Sequence, residues 1–407
     1  MKINAVVGQS GGPTAAINAT LAGVIRGALS ANKEGKLDTL YGMRNGIEGF
    51  LSEDFVNLTE IFSSEESIKT LELTPSAALG SCRRRLKDYE TDGETYEKIL
   101  TILKKYEIKY FFYIGGNDSM DTVLKLSKYA EANKYDLKVV GIPKTIDNDL
   151  AATDHTPGFG SAAKFVATTM KELLCDVSVY KMKAVTIVEV MGRDAGWLTS
   201  AAALPKLSGG RAPDLIYLPE SVFDLEAFIG DIEKAFQKHP AVLVAVSEGI
   251  RFKDGTYVGA SLGAEDAFGH KILSGAAKAL EGVVRDRLGC KVRSIELNLP
   301  QRCAAHIASK TDIEESVRIG SAAVYSAING ESGVMMTFVR ECGDEYSCRI
   351  ESADISKIAN AVRHVPREYI NDEGNGITDA GLSYLAPLIV GEVSPEYECG
   401  MPKHVVL

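Results

Sequence analysis

Residues 138–149 read KVVGIPKTIDND. Val139, Val140 and Ile142 make a short, continuous apolar run with no polar alternation. Such a run fits a strand buried on both faces, as in a parallel sheet covered by helices. Pro143 ends the run. Lys144, Thr145, Asp147, Asn148 and Asp149 then crowd into six residues. Open α/β sheets hold their ligands outside the carboxyl ends of the strands. A polar loop directly behind a buried strand therefore reads as both a fold signal and a site signal.

The same signal recurs along the chain. Strands are expected at 3–7, 108–114, 138–142, 184–191, 214–218, 241–246, 291–297 and 334–339. Helices are expected at 13–31, 94–106, 119–133, 160–178, 224–238, 265–287, 312–329 and 354–361. The alternation implies an α/β fold with mostly parallel sheets, three layers deep, in two closely packed lobes. Four more strand ends carry glycines, carboxylates or basic groups. They are Gly8–Pro13, Gly115–Ser119, Met191–Asp194 and Ser247–Gly249.

Composition narrows the function. The chain has 407 residues, with 45 Lys+Arg against 55 Asp+Glu and a formal charge of -10. Nucleic-acid binders are normally basic, so none is expected as a partner. No apolar stretch has the length of a membrane span, and no membrane partner is expected. The apolar run at Val6–Val7 is too short for a signal peptide. The seven cysteines form no CxxC pair, so neither a disulfide framework nor a zinc site is expected. A reducing, cytoplasmic location follows.

Three motif readings fall away on context. Gly8–Gly12 matches G-x-S-x-G, but Ser10 follows the first strand, with no upstream loop to supply an oxyanion donor. Gly158–Ala163 matches GxGxxA but follows a carboxylate-rich loop, not a strand, so a nicotinamide site is disfavoured. It still suits a helix start packed close to a ligand. No GxxxxGK[ST] is present, which excludes a P-loop. What remains is anion chemistry. Glycines at 11 and 12 let the backbone approach a phosphate, with Pro13 opening a helix. Gly115 and Gly116 do the same, and Asn117 and Asp118 beside them suit a hard cation held with phosphate oxygens.

Taken in order, Gly11-Gly12-Pro13, GGNDS at 115–119, PKTIDND at 143–149, MGRDAG at 191–196 and SEG at 247–249 resemble the motifs of the 6-phosphofructokinases over roughly residues 2–340. The resemblance implies two Rossmann-like lobes with the active site in the cleft between them. It implies a phosphoryl-donor lobe over 1–143 with part of 298–345, a fructose 6-phosphate lobe over 144–297, and a C-terminal helical extension over 346–407. Mg²⁺ dependence and a homo-oligomer, dimer or tetramer, are also implied.

ATP-using members carry GGDGS and PGTIDND. Asp118 and Lys144 stand here in place of two glycines, which resembles the pyrophosphate-dependent branch. The implied reaction is reversible phosphoryl transfer from pyrophosphate to the 1-hydroxyl of fructose 6-phosphate. An ATP-dependent enzyme and a non-catalytic subunit of the same fold are the alternatives. Asp118 would lie where the α-phosphate of ATP must sit. Two like charges about 4 Å apart repel by about 4 kcal/mol at an effective dielectric near 20, or about three orders of magnitude in affinity.

The resemblance also distributes roles. Asp147 is the implied base, assisted by Lys144, Asp118, Arg193 and Asp149. Gly11, Gly12, Arg83, Lys144, Asp118 and Ser119 would bind the donor. Thr145, Ile146, Asp147, Met191, Gly192, Arg193, Glu248, Arg293, Gln301 and Arg302 would bind the sugar phosphate, the two last arginines at its 6-phosphate. Asn117 and Asp118 would hold Mg²⁺. Arg84 and Arg85 match nothing in the family, and the expectation is that one or both are merely solvated. Asn117 stands where many members have an aspartate, and Ala184 where many place an intersubunit arginine.

Overall fold

The computed structural model describes residues 3–179, 181–265, 271–273, 275–343, 345–358 and 361–407. Its strands are β1 Asn4–Gln9, β2 Leu40–Met43, β3 Phe55–Asn57, β4 Ile108–Gly115, β5 Lys138–Pro143, β6 Ala184–Val190, β7 Leu215–Tyr217, β8 Ala241–Ser247, β9 Ala260–Glu265, β10 Lys271–Leu273, β11 Lys291–Glu296, β12 Val334–Arg340 and β13 Cys348–Asp354, before a short hairpin near the C-terminus. All eight strands expected from sequence are present, with ends moved by one or two residues. β2, β3, β9, β10 and β13 were not expected.

Two sheets organise the chain. The larger runs β13-β12-β5-β4-β1-β2-β3 and the smaller β11-β6-β8-β7. The smaller is wholly parallel. In the larger, only β3 and β13, at its two edges, run antiparallel to their neighbours. Side chains alternate between faces along a strand, and both faces are filled. Val7, Phe112, Ile114, Val140 and Ile142 join one core, while Val6, Phe111, Tyr113 and Val139 join another. The smaller sheet repeats the division, with Val188, Val190 and Ala245 on one face and Val185, Ile187 and Val244 on the other. This is the three-layer α/β arrangement in two lobes, and it aims the carboxyl ends of both sheets at one cleft.

Helices Ile17–Lys33 and Lys310–Ile328 pack backbone to backbone. A Cβ added at Gly23 would sit 2.1 Å from the Val317 carbonyl oxygen, and one at Gly320 would sit 2.1 Å from that of Thr20. The second helix thereby reaches the site loops and places Asp312 at the start of helix Phe159–Val177. There Asp312 accepts from the backbone N–H of Gly158 and of Ser161, each at 2.9 Å. The anion at the GxGxxA helix start is thus the chain's own carboxylate, not a ligand.

Other expectations shift. The helix expected from residue 13 begins at Ile17, because Ser10–Thr14 are drawn into the site loop. Part of the helix expected over 265–287 falls on residues 266–270 and 274, outside the described residues. The rest is β9, β10 and helix Ala276–Leu288, which starts after Gly275 at φ 88°. The helix expected over 354–361 reduces to a 3-10 turn, Ile355–Lys357, with residues 359 and 360 not described. The segment after 346 is not a helical extension. Among the described residues it holds one α-helix, Asp379–Leu385, with β13, three 3-10 turns and the short terminal hairpin. Tyr384, Leu385 and Leu388 are buried in the same core as the helix carrying Ala162 and Val166.

Candidate active site

The cleft between the sheets has a volume of about 690 Å³. The larger sheet lines it with Ser10, Gly11 and Gly12 after β1, Gly116–Ser119 after β4, and Lys144, Thr145, Asp147 and Asp149 after β5. The smaller sheet adds Arg193 and Asp194 after β6 and Glu248 after β8. All five polar strand ends picked out in the sequence therefore converge.

The glycine loop is held by its neighbours. Gly11, at φ 77°, donates its N–H to the Cys82 carbonyl at 3.1 Å, and Ser81 Oγ donates to the Gly11 carbonyl at 2.6 Å. The Gly11 amide is thus committed within the protein and not offered to a phosphate. Lys144 Nζ donates to the Gly12 carbonyl at 2.6 Å. This bond ties the first and third strand ends together and aims the ammonium into the cleft. Burial lowers Lys144 to about 8; Asp147 opposes the shift, and Arg302 and Arg83 add to it.

Helix Asn117–Ala132 starts in the cleft behind Gly116 with no side-chain cap. Its N-terminal amides and dipole favour an anion. Asp118 in its first turn pairs with Arg85 at 2.5 Å. Arg85, for which the family resemblance gave no role, is therefore part of the site, and Arg83, Arg84 and Arg85 all line the cleft. Asn117 Oδ1 is buried with no hydrogen-bond partner.

The acidic loop is organised by short bonds. Thr145 Oγ1 accepts from the Asp147 N–H at 3.1 Å. Burial raises Asp147, against the pull of Lys144. Burial raises Asp149 to about 7, with Asp147 and Asp194 adding and Arg363 opposing. Glu248 accepts from the Gly192 N–H at 3.2 Å, and burial raises it to about 7. Ser247 Oγ donates to the Gly192 carbonyl at 2.5 Å and accepts from the Gly249 N–H at 3.0 Å, clamping β8 to the turn after β6.

Several residues assigned to the sugar are not among those that line the cleft. Ile146 is buried in the core with Phe159 and Ala163. Gln301 is buried and accepts from the Met191 N–H at 3.1 Å, so it positions that turn. Met191 and Gln301 line a small hollow next to Glu248. A Cβ on Gly12 would sit 3.3 Å from Arg302 Nη1, which puts Arg302 against the donor loop. Arg293 lies three residues before the end of β11, opposite Thr186, and lines a separate hollow with Met182 and Ala184. At about 3.3 Å per residue, that is roughly 10 Å below the strand ends.

Asp194, Tyr257 and Val362 line the cleft without having been assigned a role. Among the described residues, the one cluster of three His/Cys/Asp/Glu ligand atoms within 4.8 Å of one another is Asp154, His155 and Cys348. It lies outside the cleft lining, and His155 is already bonded to Asp154 at 2.9 Å and Glu315 at 2.7 Å. No described helix is long and apolar enough to cross a membrane.

The chain is similar to known proteins over nearly its whole length. The family model for Phosphofructokinase matches residues 4–327. A Halomonas elongata protein named pyrophosphate--fructose 6-phosphate 1-phosphotransferase is 40% identical over 402 residues, covering 98% of this chain and 95% of the relative. A Xanthomonas campestris protein of the same name is 42% identical over 407 residues, covering 99% and 96%. The crystal structure of a pyrophosphate-dependent phosphofructokinase from Nitrosospira multiformis superposes with a TM-score of 0.89 at 38% identity, covering 100% of this chain and 96% of that one.

Proposed function

We propose, for a chain that belongs to the phosphofructokinase family, that it transfers a phosphoryl group reversibly from pyrophosphate to the 1-hydroxyl of fructose 6-phosphate, giving fructose 1,6-bisphosphate and phosphate. The observation that carries the donor assignment is that Lys144 and Asp118 line the same cleft as the carboxylate of Asp147.

Asp147 accepts the proton of the sugar 1-hydroxyl as that oxygen attacks the nearer phosphorus. The Lys144 ammonium neutralises charge on the departing phosphate, as does the helix start at Gly116–Ser119. Arg83 and Arg302 add positive charge on the donor side, and Arg302 moves there from the 6-phosphate role. Arg193 and Glu248 orient the sugar. Asp149, raised to about 7 by burial and by the charge of Asp147, is the second carboxyl group beside the base. Asp118 excludes the third phosphate of ATP.

Mg²⁺ fits this donor set in part. The unpartnered Asn117 Oδ1 is a hard oxygen ligand, while Asp118 reaches a cation only in competition with Arg85. Mg²⁺ is commonly held by one or two protein oxygens together with substrate phosphates. When bound, it would neutralise the charge of the donor phosphates.

Arg293, set apart from the cleft beside Ala184, suits the 6-phosphate only from a second copy of the chain. The same reading includes a homo-oligomer, dimer or tetramer, and a cytoplasmic location. Reversibility is the direct test of the reaction. Fructose 1,6-bisphosphate and phosphate with Mg²⁺ should yield pyrophosphate by phosphorus NMR. Absence of pyrophosphate from enzyme that turns over ATP contradicts the reading.

A further inference from the structure

Asn148 stands between the two carboxylates of the acidic loop. It is fully buried and sits at φ 55°. Asparagine tolerates the left-handed region better than other side chains, but a single fixed conformation there still needs partners that hold it. The residues that do so come from the far end of the chain. Arg363 Nε and Nη2 both donate to the Asn148 carbonyl, at 3.3 and 3.1 Å. The Arg363 N–H donates to the Asp149 carbonyl at 2.7 Å. Asn148 Nδ2 donates to the Tyr384 hydroxyl at 3.0 Å, as does Arg363 Nη2 at 3.2 Å. That hydroxyl in turn donates to the Asp154 carbonyl at 2.6 Å. The phenol's one proton and both lone pairs are thus used.

The clamp is itself braced. The Arg363 guanidinium lies 4.3 Å from the Trp197 ring centre, and Trp197 Nε1 donates to the Arg363 carbonyl at 2.9 Å. The Arg340 guanidinium lies 4.5 Å from the Tyr384 ring centre and donates to Asp154 at 2.9 Å. Neither Arg363 nor Tyr384 lines the cleft.

We infer that Arg363 and Tyr384 are positioning residues that hold Asn148 in its left-handed conformation and thereby aim Asp147 and Asp149 into the cleft. The inference rests on the assignment of Asp147 as the base. The donor loop at Gly11–Gly12 and the helix start at Asn117 hang from other strands, and Lys144 is anchored separately on the Gly12 carbonyl, so loosening the clamp disturbs Asp147–Asp149 and leaves anion binding in place. A displacement of about 1 Å at a reacting group can lower a rate by about 10²-fold. Loss of a contact made only in the transition state lowers kcat and kcat/KM together and leaves KM unchanged.

The test compares Arg363→Lys, which keeps the charge and removes the fork, with Tyr384→Phe, which removes one hydroxyl. Wild type and Asp147→Asn run alongside, with pyrophosphate and fructose 6-phosphate as substrates. Both clamp variants should lose roughly tenfold or more in kcat, with both KM values within about threefold of wild type and melting temperatures close to it. The double variant should lose less than the product of the single losses, because both act on one loop. A kcat within about twofold of wild type in both variants overturns the inference, and so does a loss shared equally by both KM values. If Arg363→Lys fails to fold, Tyr384→Phe decides alone. If Asp147→Asn retains full turnover, the base assignment fails, and the inference with it.

Discussion

Arg85 Nη2 lies 2.5 Å from Asp118 Oδ1 in the lining of the cleft. The carboxylate read from sequence as a bare negative charge therefore has a counter-charge. Both side chains are partly exposed, at 45% and 39%, so solvent screens the pair and its own stabilisation is small. Its effect on an anionic donor is larger. Arg85→Ala leaves Asp118 uncompensated beside pyrophosphate, and the KM for pyrophosphate should rise about tenfold, equal to about 1.4 kcal/mol. The KM for fructose 6-phosphate should not move. Steady-state kinetics varied in each substrate separates the two, and an unchanged pyrophosphate KM makes the pair a surface contact only.

The donor positions act together. Asp118→Gly combined with Lys144→Gly should lower kcat/KM for pyrophosphate by about 10² or more, since the loss of one preorganised transition-state donor alone costs about that much. The same double variant should bind ATP measurably by calorimetry, because the charge at the α-phosphate position is gone. ATP binding that stays undetectable would show that Asp118 is not what excludes it.

The pH dependence follows from groups displaced toward neutrality. Asp149 and Glu248 are raised to about 7, and Asp147 is raised as well. Their ionised forms are lost as pH falls, so kcat/KM should drop below about pH 7. Lys144 is lowered to about 8, and its charge is lost as pH rises, so kcat/KM for pyrophosphate should also drop above about pH 8. The acid limb belongs to the carboxylates as a set, because they interact. Lys144→Arg keeps its charge at any working pH and should abolish the basic limb, whatever its absolute rate. A wild-type profile flat from pH 7 to 9.5 contradicts the role of the Lys144 ammonium.

Gly249 leaves no room for a side chain. A Cβ there would sit 1.9 Å from the Arg193 carbonyl oxygen, and backbone cannot rotate away as a flexible side chain can. Gly249→Ala should destabilise the protein by about 2 kcal/mol or more, or push Arg193 out of place with a fall in turnover. Calorimetry and kinetics on the same preparation check both, and a variant unchanged in each contradicts the close approach of β8 to the turn after β6.

Much of the site was legible because its residues belong to strand ends, and each strand end carries its own local pattern. KVVGIPKTIDND showed both the buried strand and the polar loop behind it. The architecture was legible for the same reason, since apolar runs without alternation imply sheets covered on both faces. What escaped has no local pattern. Arg363 and Tyr384 meet Asn148 from 215 and 236 residues away, and nothing around either residue announces the contact. Arg293 kept its place in the order of the chain, but strand register put it below the cleft. Asp312 occupies the helix start at Gly158 from 154 residues away. GxGxxA alone could not tell a ligand's anion from the protein's own carboxylate.

The most direct measurement is an initial-rate assay of purified protein with fructose 6-phosphate and Mg²⁺, supplied with pyrophosphate or with ATP. Fructose 1,6-bisphosphate should form with pyrophosphate, with release of one phosphate per turnover. With ATP, kcat/KM should be at least about tenfold lower, because the pair with Arg85 reduces but does not cancel the repulsion at Asp118. Equal or faster turnover with ATP would contradict the donor assignment carried by Asp118 and Lys144.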